Sequence, residues 1–385
     1  MSELLNGRWA ETKEALLEGL QGTKKSVMGV TLENTRKYLM ESPTAGATSA
    51  GNVATLNRVI LPVIRRVMPT VIANELVGVQ PMTGPVGQIH TLRVRYADNS
   101  AYTTAGEEAL SPFKIAEGYS GNDNTGKATS TATLEGAAGK RMSIQILKQT
   151  VEAKTRKLSA RWTFESAQDA QAQQGIDIEA EVMAALAQEI TAEIDQEILA
   201  SLGSLAGTAT ETFDQNQVSG TATFVGDEHA ALAVQINRVA NLIAQRTRRG
   251  AGNWAVVSPF ALTILQSATT SAFARTTEGT FEAPTNTKFV GTLNNAMKVY
   301  VNTYAMDTTD VLVGYKGSSE SDAAAFYCPY IPLMSSGVVL DPSTFEPVVS
   351  FMTRYGYVEL SNTASSLGNA ADYLGKVAIQ NVSFK

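Results

Sequence analysis

The residue types that carry most protein chemistry are nearly absent from this chain. Its 385 residues include one cysteine, Cys328, and two histidines, His90 and His229. One thiol permits no intramolecular disulfide and lends secretion no support. A zinc set of cysteines and histidines cannot be assembled from so few ligands. A Ser-His or Cys-His nucleophile pair stays formally open. Neither histidine stands in a recognisable setting for one, and structural or surface histidines are the plainer reading. An excess of positive charge is missing too. The formal net charge is −6, the wrong sign for a protein that grips nucleic acid through its phosphates. That balance still lets the chain lie beside DNA without binding it. No long apolar run exists either: Val59 to Val79 is interrupted by Pro62, Arg65, Arg66, Pro69 and Glu75, so it reads as no membrane span. The first residues lack a basic stretch followed by an apolar one, so no signal peptide is expected and cytoplasmic synthesis is the default. There is no internal repeat and no heptad array.

What is present is the composition of a folded protein, 44% hydrophobic and 18% charged. The length points to two or more lobes. Residues 3–20 and 32–41 carry weak helical patterns, and Ser42 to Asn52 reads as a linker of small residues, making 1–52 an arm. Ile89–Tyr96 and Lys140–Leu147 alternate like strands. The residues between them are rich in Gly, Ser, Thr, Ala and Asn and have little of their own to bury, so they must lean on something else, a partner subunit being a good candidate. The clearest helix runs from about Asp177 to Leu202, with Val182, Leu186, Ile190, Ile194 and Ile198 at four-residue spacing and Gly203 as a stop signal. It would be about 40 Å long. A second helix is expected over about 228–248, a strand at Trp254–Val257, a helix capped by Ser258-Pro259, a hairpin around Asn294-Asn295, and strands at Val311–Val313 and Pro347–Phe351. The fold class is α+β.

The sharpest apparent motif, Gly121 to Lys127, has the spacing of a phosphate loop. It lacks the strand before it, the helix after it and the hydroxyl that should follow the lysine, where Ala128 stands. It reads as an exposed loop tip. Glu189, Glu193 and Glu197 form an acidic row on the long helix, and like charges at that spacing call for compensation. A solvated face, a subunit contact and a metal site are the alternatives, in that order. Arg246, Arg248 and Arg249 at a helix end, and Arg65-Arg66, suit dipole partners or interface ions better than phosphate contacts. Cys328 reads as a small packed residue. No enzyme emerges; neither a cofactor nor a metal is expected.

Several runs carry a family resemblance. Arg65 to Pro69, leading into Leu76 to Met82 and Gly84 to Gln88, resembles the segment that opens the core of T-even-like major capsid proteins. So do Lys148 to Lys157, Glu165 to Asp169, Val313 to Gly317, Tyr327 to Tyr330, Phe345 to Val348 and Thr353 to Gly356, in the family's order. The resemblance implies the tailed-phage capsid fold, shared with encapsulins and the herpesvirus capsid floor. It divides the chain into an arm (1–52), a peripheral domain (53–87, then 141–203 with the long spine helix), an extended loop (88–140), an axial domain (204–345) and returning peripheral strands (346–385). The implied function is a shell subunit assembling with itself into hexameric capsomers of an icosahedral or prolate head around double-stranded DNA; the pentameric vertex protein of the same family and an unrelated enzyme or binding module are the alternatives. Implied partners are scaffolding, portal, vertex and decoration proteins, with assembly in the host bacterial cytoplasm and a final place in the virion. Candidate subunit contacts are Glu107, Glu108 and Lys127 in the loop, Arg65 and Arg66 before it, and Glu189, Glu193 and Glu197 on the helix. The family's maturation protease cuts after a glutamate two places beyond Leu or Ile. Glu41 fits that pattern, and Glu18 less well by position; against cleavage stands an arm retained through Leu4, Leu5, Trp9 and Leu16. The chain is shorter than the T-even proteins, chiefly in the loop, so any extra domain inserted there is expected to be reduced or missing.

Overall fold

The computed structural model describes residues 22–41, 72–100, 103–107, 109, 119–121, 128–136, 138–175, 177–218, 225–247, 249–268, 273–275, 288–294, 296–304, 310–318, 322–360 and 370–382, with positions 9, 13, 14, 16, 17 and 20. Arg65, Arg66, Glu108, Lys127, Arg248, Glu18 and the Ser42–Asn52 linker lie outside the described residues.

The helices are α1 (Gly22–Glu41), α2 (Ala73–Leu76), α3 (Thr131–Leu134), α4 (Phe164–Gln174), α5 (Ile178–Ala206), α6 (Gln215–Val218), α7 (Val225–Thr247) and α8 (Pro259–Ser267). The strands are β1 (Gly78–Val79), β2 (Val86–Tyr96), β3 (Met142–Glu152), β4 (Lys154–Arg161), β5 (Glu211–Asp214), β6 (Trp254–Val257), β7 (Phe273–Arg275), β8 (Lys288–Leu293), β9 (Met297–Val301), β10 (Val311–Gly314), β11 (Ala325–Ser335), β12 (Val339–Leu340), β13 (Pro347–Glu359) and β14 (Leu374–Gln380). Among the described residues they form three sheets. In the first, β1 runs parallel to β11, β11 pairs with β13, and β13 also pairs with β12 and β4. The second has the order β5-β14-β10-β6-β9-β8-β7. The third is the two-stranded ribbon β2-β3, in register from Val86↔Glu152 to Tyr96↔Met142.

The long helix is the spine of this arrangement. Asp177 caps its N-terminus by accepting from the Glu179 N–H at 3.0 Å. The expected stop at Gly203 is not used. The helix runs on to Ala206, because Leu205 and Ala206 still pack on the core, and it ends at Gly207, whose φ of 66° only glycine adopts freely. Its row Leu186, Ile190, Ile194, Ile198 and Leu202 lies in one cluster with Phe351, Tyr355 and Tyr327 of the first sheet and Trp254, Val256 and Leu312 of the second. The opposite face of the second sheet, with Ala255, Val257, Val311 and Val313, packs on α7 and α8. That sheet is buried on both faces, so Trp254–Val257 and Val311–Gly314 read as continuous apolar runs without alternation. Gly314 is required by this packing: a Cβ there would lie 2.1 Å from the Trp254 ring. Ser258 caps α8 through the Ala261 N–H at 3.2 Å, with Pro259 at its first position, as the sequence dictates.

Two features bear on the expected divisions of the chain. The expected boundary at 345/346 falls between β12 and β13, which are hydrogen-bonded neighbours, while β14 lies in the second sheet beside β10 and β5. β11, β12 and β13 thus share the first sheet, and the chain crosses back to the second sheet at β14. The loop also has a small core of its own. Tyr96, Ala109 and Tyr119 bury one another, with the Tyr96 and Tyr119 rings 4.5 Å apart.

The arm contributes to the main core. Val27, Met28 and Leu32 of α1 are buried with Leu76 and Val77, and Trp9 and Leu16 pack against the same cluster; Leu4 and Leu5 lie outside the described residues. The Asn34 side chain donates to the Met82 and Tyr330 carbonyls at 2.6 and 2.9 Å, which ties α1 to the edge of the first sheet.

Asp195 is the unusual member of the core. It is 1% exposed, and one carboxylate oxygen accepts from the Ile72 N–H at 2.9 Å. Burial raises its pKa from 3.8 to about 7, with the Ile72 bond opposing. A carboxyl that holds its proton more tightly when folded contributes most at low pH, and that contribution is lost as pH rises through the folded pKa. Asp195→Asn is expected to remove a loss of stability between pH 4 and 7, on the order of a few kcal/mol, measured by urea midpoints across that range.

Candidate functional site

The acidic row on α5 finds its compensation inside the chain. Strand β4 runs beside α5 and presents Arg156, whose guanidinium donates to Glu193 at 2.6 Å, to Glu197 at 2.5 Å and to the Tyr355 hydroxyl at 2.6 Å. Tyr355, on β13, donates to Glu197 in turn. Burial pushes the Glu197 carboxyl up, but Arg156 and Tyr355 outweigh it and hold the carboxyl below its usual range. Burial likewise opposes the Arg156 charge, and Glu197 and Tyr355 more than restore it. The fork geometry of arginine lets one side chain serve both carboxylates. Glu189, one turn earlier, is exposed.

A second charged node was hidden in the sequence. Glu75, on α2, accepts from Lys24 of α1 at 2.8 Å and faces Lys298 of β9 at 3.5 Å and the Tyr300 hydroxyl at 3.4 Å. Burial raises its pKa, and the two lysines lower it by more. This carboxylate ties the arm helix to the second sheet. Its only trace in the sequence is that it interrupts the apolar window before Val79. Arg249, at the end of α7, pairs with Asp322 at 2.5 Å, and Asp322 also accepts from Tyr373 at 3.3 Å. That arginine is thus held within the chain.

The histidines, the cysteine and the phosphate-loop spacing lie apart from these nodes. His229 is fully buried, its Nδ1 2.5 Å from the Ser267 hydroxyl at the end of α8, and burial lowers its pKa. Ser267 itself is exposed and also donates to the Ile264 carbonyl at 2.9 Å, so the contact ties the end of α8 to α7. His90 is exposed on the ribbon. The phosphate-loop spacing has a turn at 119–121 before it and a four-residue helix after it, with 122–127 outside the described residues. Cys328 is buried in β11, and burial pushes its thiol up to about 11. Among the described residues no group of His, Cys, Asp and Glu could hold a metal ion, and no helix is long and apolar enough to cross a membrane.

The surfaces are more informative. The ribbon β2-β3 leaves the first sheet where Val151 meets Gly356; a Cβ on that glycine would lie 2.4 Å from Val151. Glu107 lies on the loop that crosses the ribbon's end, its N–H bonded to the Thr104 carbonyl at 3.1 Å and its carbonyl accepting from Tyr96 at 2.9 Å. Asp98 there pairs with Arg141 at 3.3 Å. Met142, Ile144 and Ile146 alternate along β3 and are more than half exposed.

If the Arg156 fork ties β4 to α5, Arg156→Met should lower protomer stability by about 1–2 kcal/mol, since two partly exposed charged bonds are lost. In a double-mutant cycle with Glu197→Gln, strictly additive effects would show that the pair is not coupled.

The chain matches the family described as major capsid protein Gp23 over residues 53–138 and 102–379. The major capsid protein of Vibrio phage KVP40 is 30% identical over 421 residues, covering 85% of this chain and 81% of that one. That of Enterobacteria phage T6 is 31% identical over 405 residues, covering 81% and 79%. A solved structure from Mycobacterium phage Bobi is similar in fold alone, with a TM-score of 0.50 at 14% identity, covering 80% of this chain and 90% of that one. The α+β architecture described above is that of tailed-phage capsid proteins. This chain belongs to the Gp23 major capsid protein family, and it is a structural shell subunit of a phage head.

Proposed function

We propose that the protein assembles with itself into hexameric capsomers of a head that encloses double-stranded DNA, formed in the host cytoplasm around a scaffolding protein and joined by portal, vertex or decoration proteins. The observation that carries this reading is the ribbon β2-β3. It projects from a well-packed protomer with an alternating apolar face, Met142, Ile144 and Ile146, that is more than half exposed among the described residues. In this reading the first sheet with α5 forms the peripheral domain, the second sheet with α7 and α8 forms the axial domain, and 88–140 is the extended loop. Glu107, Glu108, Lys127, Arg65, Arg66, Glu189, Glu193 and Glu197 are its candidate contacts, the last two through whatever acceptor capacity Arg156 leaves them. The acidic balance of the chain keeps packaged DNA close without sequestering it.

The same reading keeps the arm. Removing residues 1–41 would strip Val27, Met28 and Leu32 from the core and uncover Leu76 and Val77, at roughly 25 cal/mol per Å² of apolar surface. The helix therefore stays with the shell.

Three measurements test these proposals. Electron microscopy of the assembled protein is expected to show shells or six-fold capsomers; five-fold capsomers alone would identify a vertex protein, and discrete small particles would end the reading. Intact-mass spectrometry of protein from mature particles should give a chain that still contains residues 22–41, whereas a chain beginning at Ser42 would show cleavage after Glu41. A chain lacking 100–135 should still unfold cooperatively, with assembly lost, because what it forfeits is the small Tyr96–Tyr119 cluster and not the main core.

A further inference from the structure

Three elements that lie far apart in the chain converge on the short helix α2, and each holds it by a polar contact. From the spine helix, the Asp195 carboxyl accepts from the N–H of Ile72, the residue that leads into α2, at 2.9 Å. From the second sheet, Lys316, just after β10, donates to the Asn74 carbonyl at 2.8 Å, and Lys298 of β9 faces one Glu75 oxygen at 3.5 Å. From the arm, Lys24 of α1 donates to the other Glu75 oxygen at 2.8 Å. Leu76 and Val77 share one buried cluster with Val27, Met28 and Leu32 of α1. The first half of α1 is thus held through α2. Its second half has a separate anchor, Asn34 on the Met82 and Tyr330 carbonyls.

The two carboxyls of this joint differ in their surroundings. Burial opposes the Glu75 charge, but Lys24 and Lys298 more than restore it, so Glu75 stays ionised from mild acid upward. Asp195 has no such help. It is 1% exposed, and its second oxygen has no hydrogen-bond partner among the described residues. It faces Ile72 before α2 and, from β11, the phenol of Tyr327, which burial keeps neutral. On its own helix the neighbouring polar groups are engaged elsewhere: Thr191 with the Ala187 carbonyl, Gln196 with Asn302, and Glu197 with Arg156 and Tyr355. No lysine, arginine or histidine among the described residues acts on its ionisation. A protonated Asp195 sits in this site without a charge to solvate. An ionised one must stay dry without a counter-charge or open a path to water. Around it α5 is fixed by Ile194 and Ile198, buried in the core cluster, so the side that can yield is the single turn of α2.

We propose that α2 is a proton-sensitive clasp, which holds the first half of α1 on the core in mild acid and slackens towards neutrality. Glu75 and its two lysines are the constant hold, and Asp195 is the variable one. The sense follows from burial, which pushes the Asp195 pKa from 3.8 up to about 7 while the joint is closed. Opening to water restores the ordinary value, so closure takes up a proton. The Asp195 contribution is therefore fully present below the ordinary aspartate range and is lost as pH rises to about 7. The opening equilibrium rises by at most about tenfold per pH unit over that span and is level beyond it. At neutral pH the arm is docked but exchangeable.

Amide hydrogen exchange on the full chain, corrected for the intrinsic pH dependence of exchange, tests the clasp. In segments 22–29 and 72–77 the opening equilibrium is expected to rise about tenfold or more from pH 5 to pH 7 and to stay level from pH 7 to pH 8. Segment 31–34, anchored by Asn34, and helix α7 should not follow it. Asp195→Asn, neutral at every pH, should keep 22–29 and 72–77 at their acid protection throughout. Lys24→Met should raise the opening of 22–29 by a constant factor and leave the pH profile in place, because it removes the charged hold and spares the variable one. A flat profile in the unmodified protein would overturn the proposal. So would an equal rise in α7, which would mean unfolding of the whole protomer, or the same profile persisting in Asp195→Asn. Should Asp195→Asn fail to fold, the comparison of 22–29 with α7 in the unmodified protein and in Lys24→Met decides by itself.

Discussion

The structure depends on burying a long helix between two sheets. Ile190, Ile194 and Ile198 of α5 are at most 3% exposed, and they touch aromatic residues of the first sheet and the inner face of the second. A helix with one apolar row normally satisfies a single layer. Here the row is widened by Met183, Ala187 and Leu199, so that two layers share it. The rest follows from that. The second sheet must be apolar on both faces, because α7 and α8 cover the side that α5 does not. The arm helix can add to the core only at the margin that remains, where Val27, Met28 and Leu32 fill it.

Charge is placed at the seams of this packing. Arg156 secures β4 to α5 through Glu193 and Glu197, and Glu75 joins the arm helix to β9. Each pair is partly exposed and modest in energy. Their value is geometric, since each fixes how one element lies on another where apolar contact alone would allow sliding. Asp195 departs from the pattern: it is a carboxyl with a backbone donor and no cation among the described residues, and burial keeps its proton near neutrality.

What remains outside the core is the material of a shell. A protomer that is stable by itself can present bare apolar surfaces safely only if they are rigid, small and flanked by charge. The ribbon face, with Met142, Ile144 and Ile146 beside the Asp98–Arg141 pair, is such a surface. Assembly from many such modest contacts is reversible at each step and firm once closed.

The sequence by itself determined the elements whose signal is local. The α5 periodicity, the Ser258-Pro259 cap, the apolar strands Trp254–Val257 and Val311–Val313 and the hairpin before Met297 all appear where the pattern places them, because caps and periodic burial are read within a few residues. The order of the family blocks was equally plain. Tertiary structure alone decided the rest. Gly203 looked like a stop, but packing beyond it carried the helix to Gly207. The grouping of strands into sheets was not legible because strand pairing is a long-range choice: β13 took β11 and β4 as neighbours while β14 crossed to β10. The partner of the acidic row was invisible for the same reason, since Arg156 lies more than thirty residues from Glu193 and meets it only when β4 is laid along α5. Hydrogen bonds and ion pairs between distant segments carry no periodicity, and only the folded chain shows which of them form.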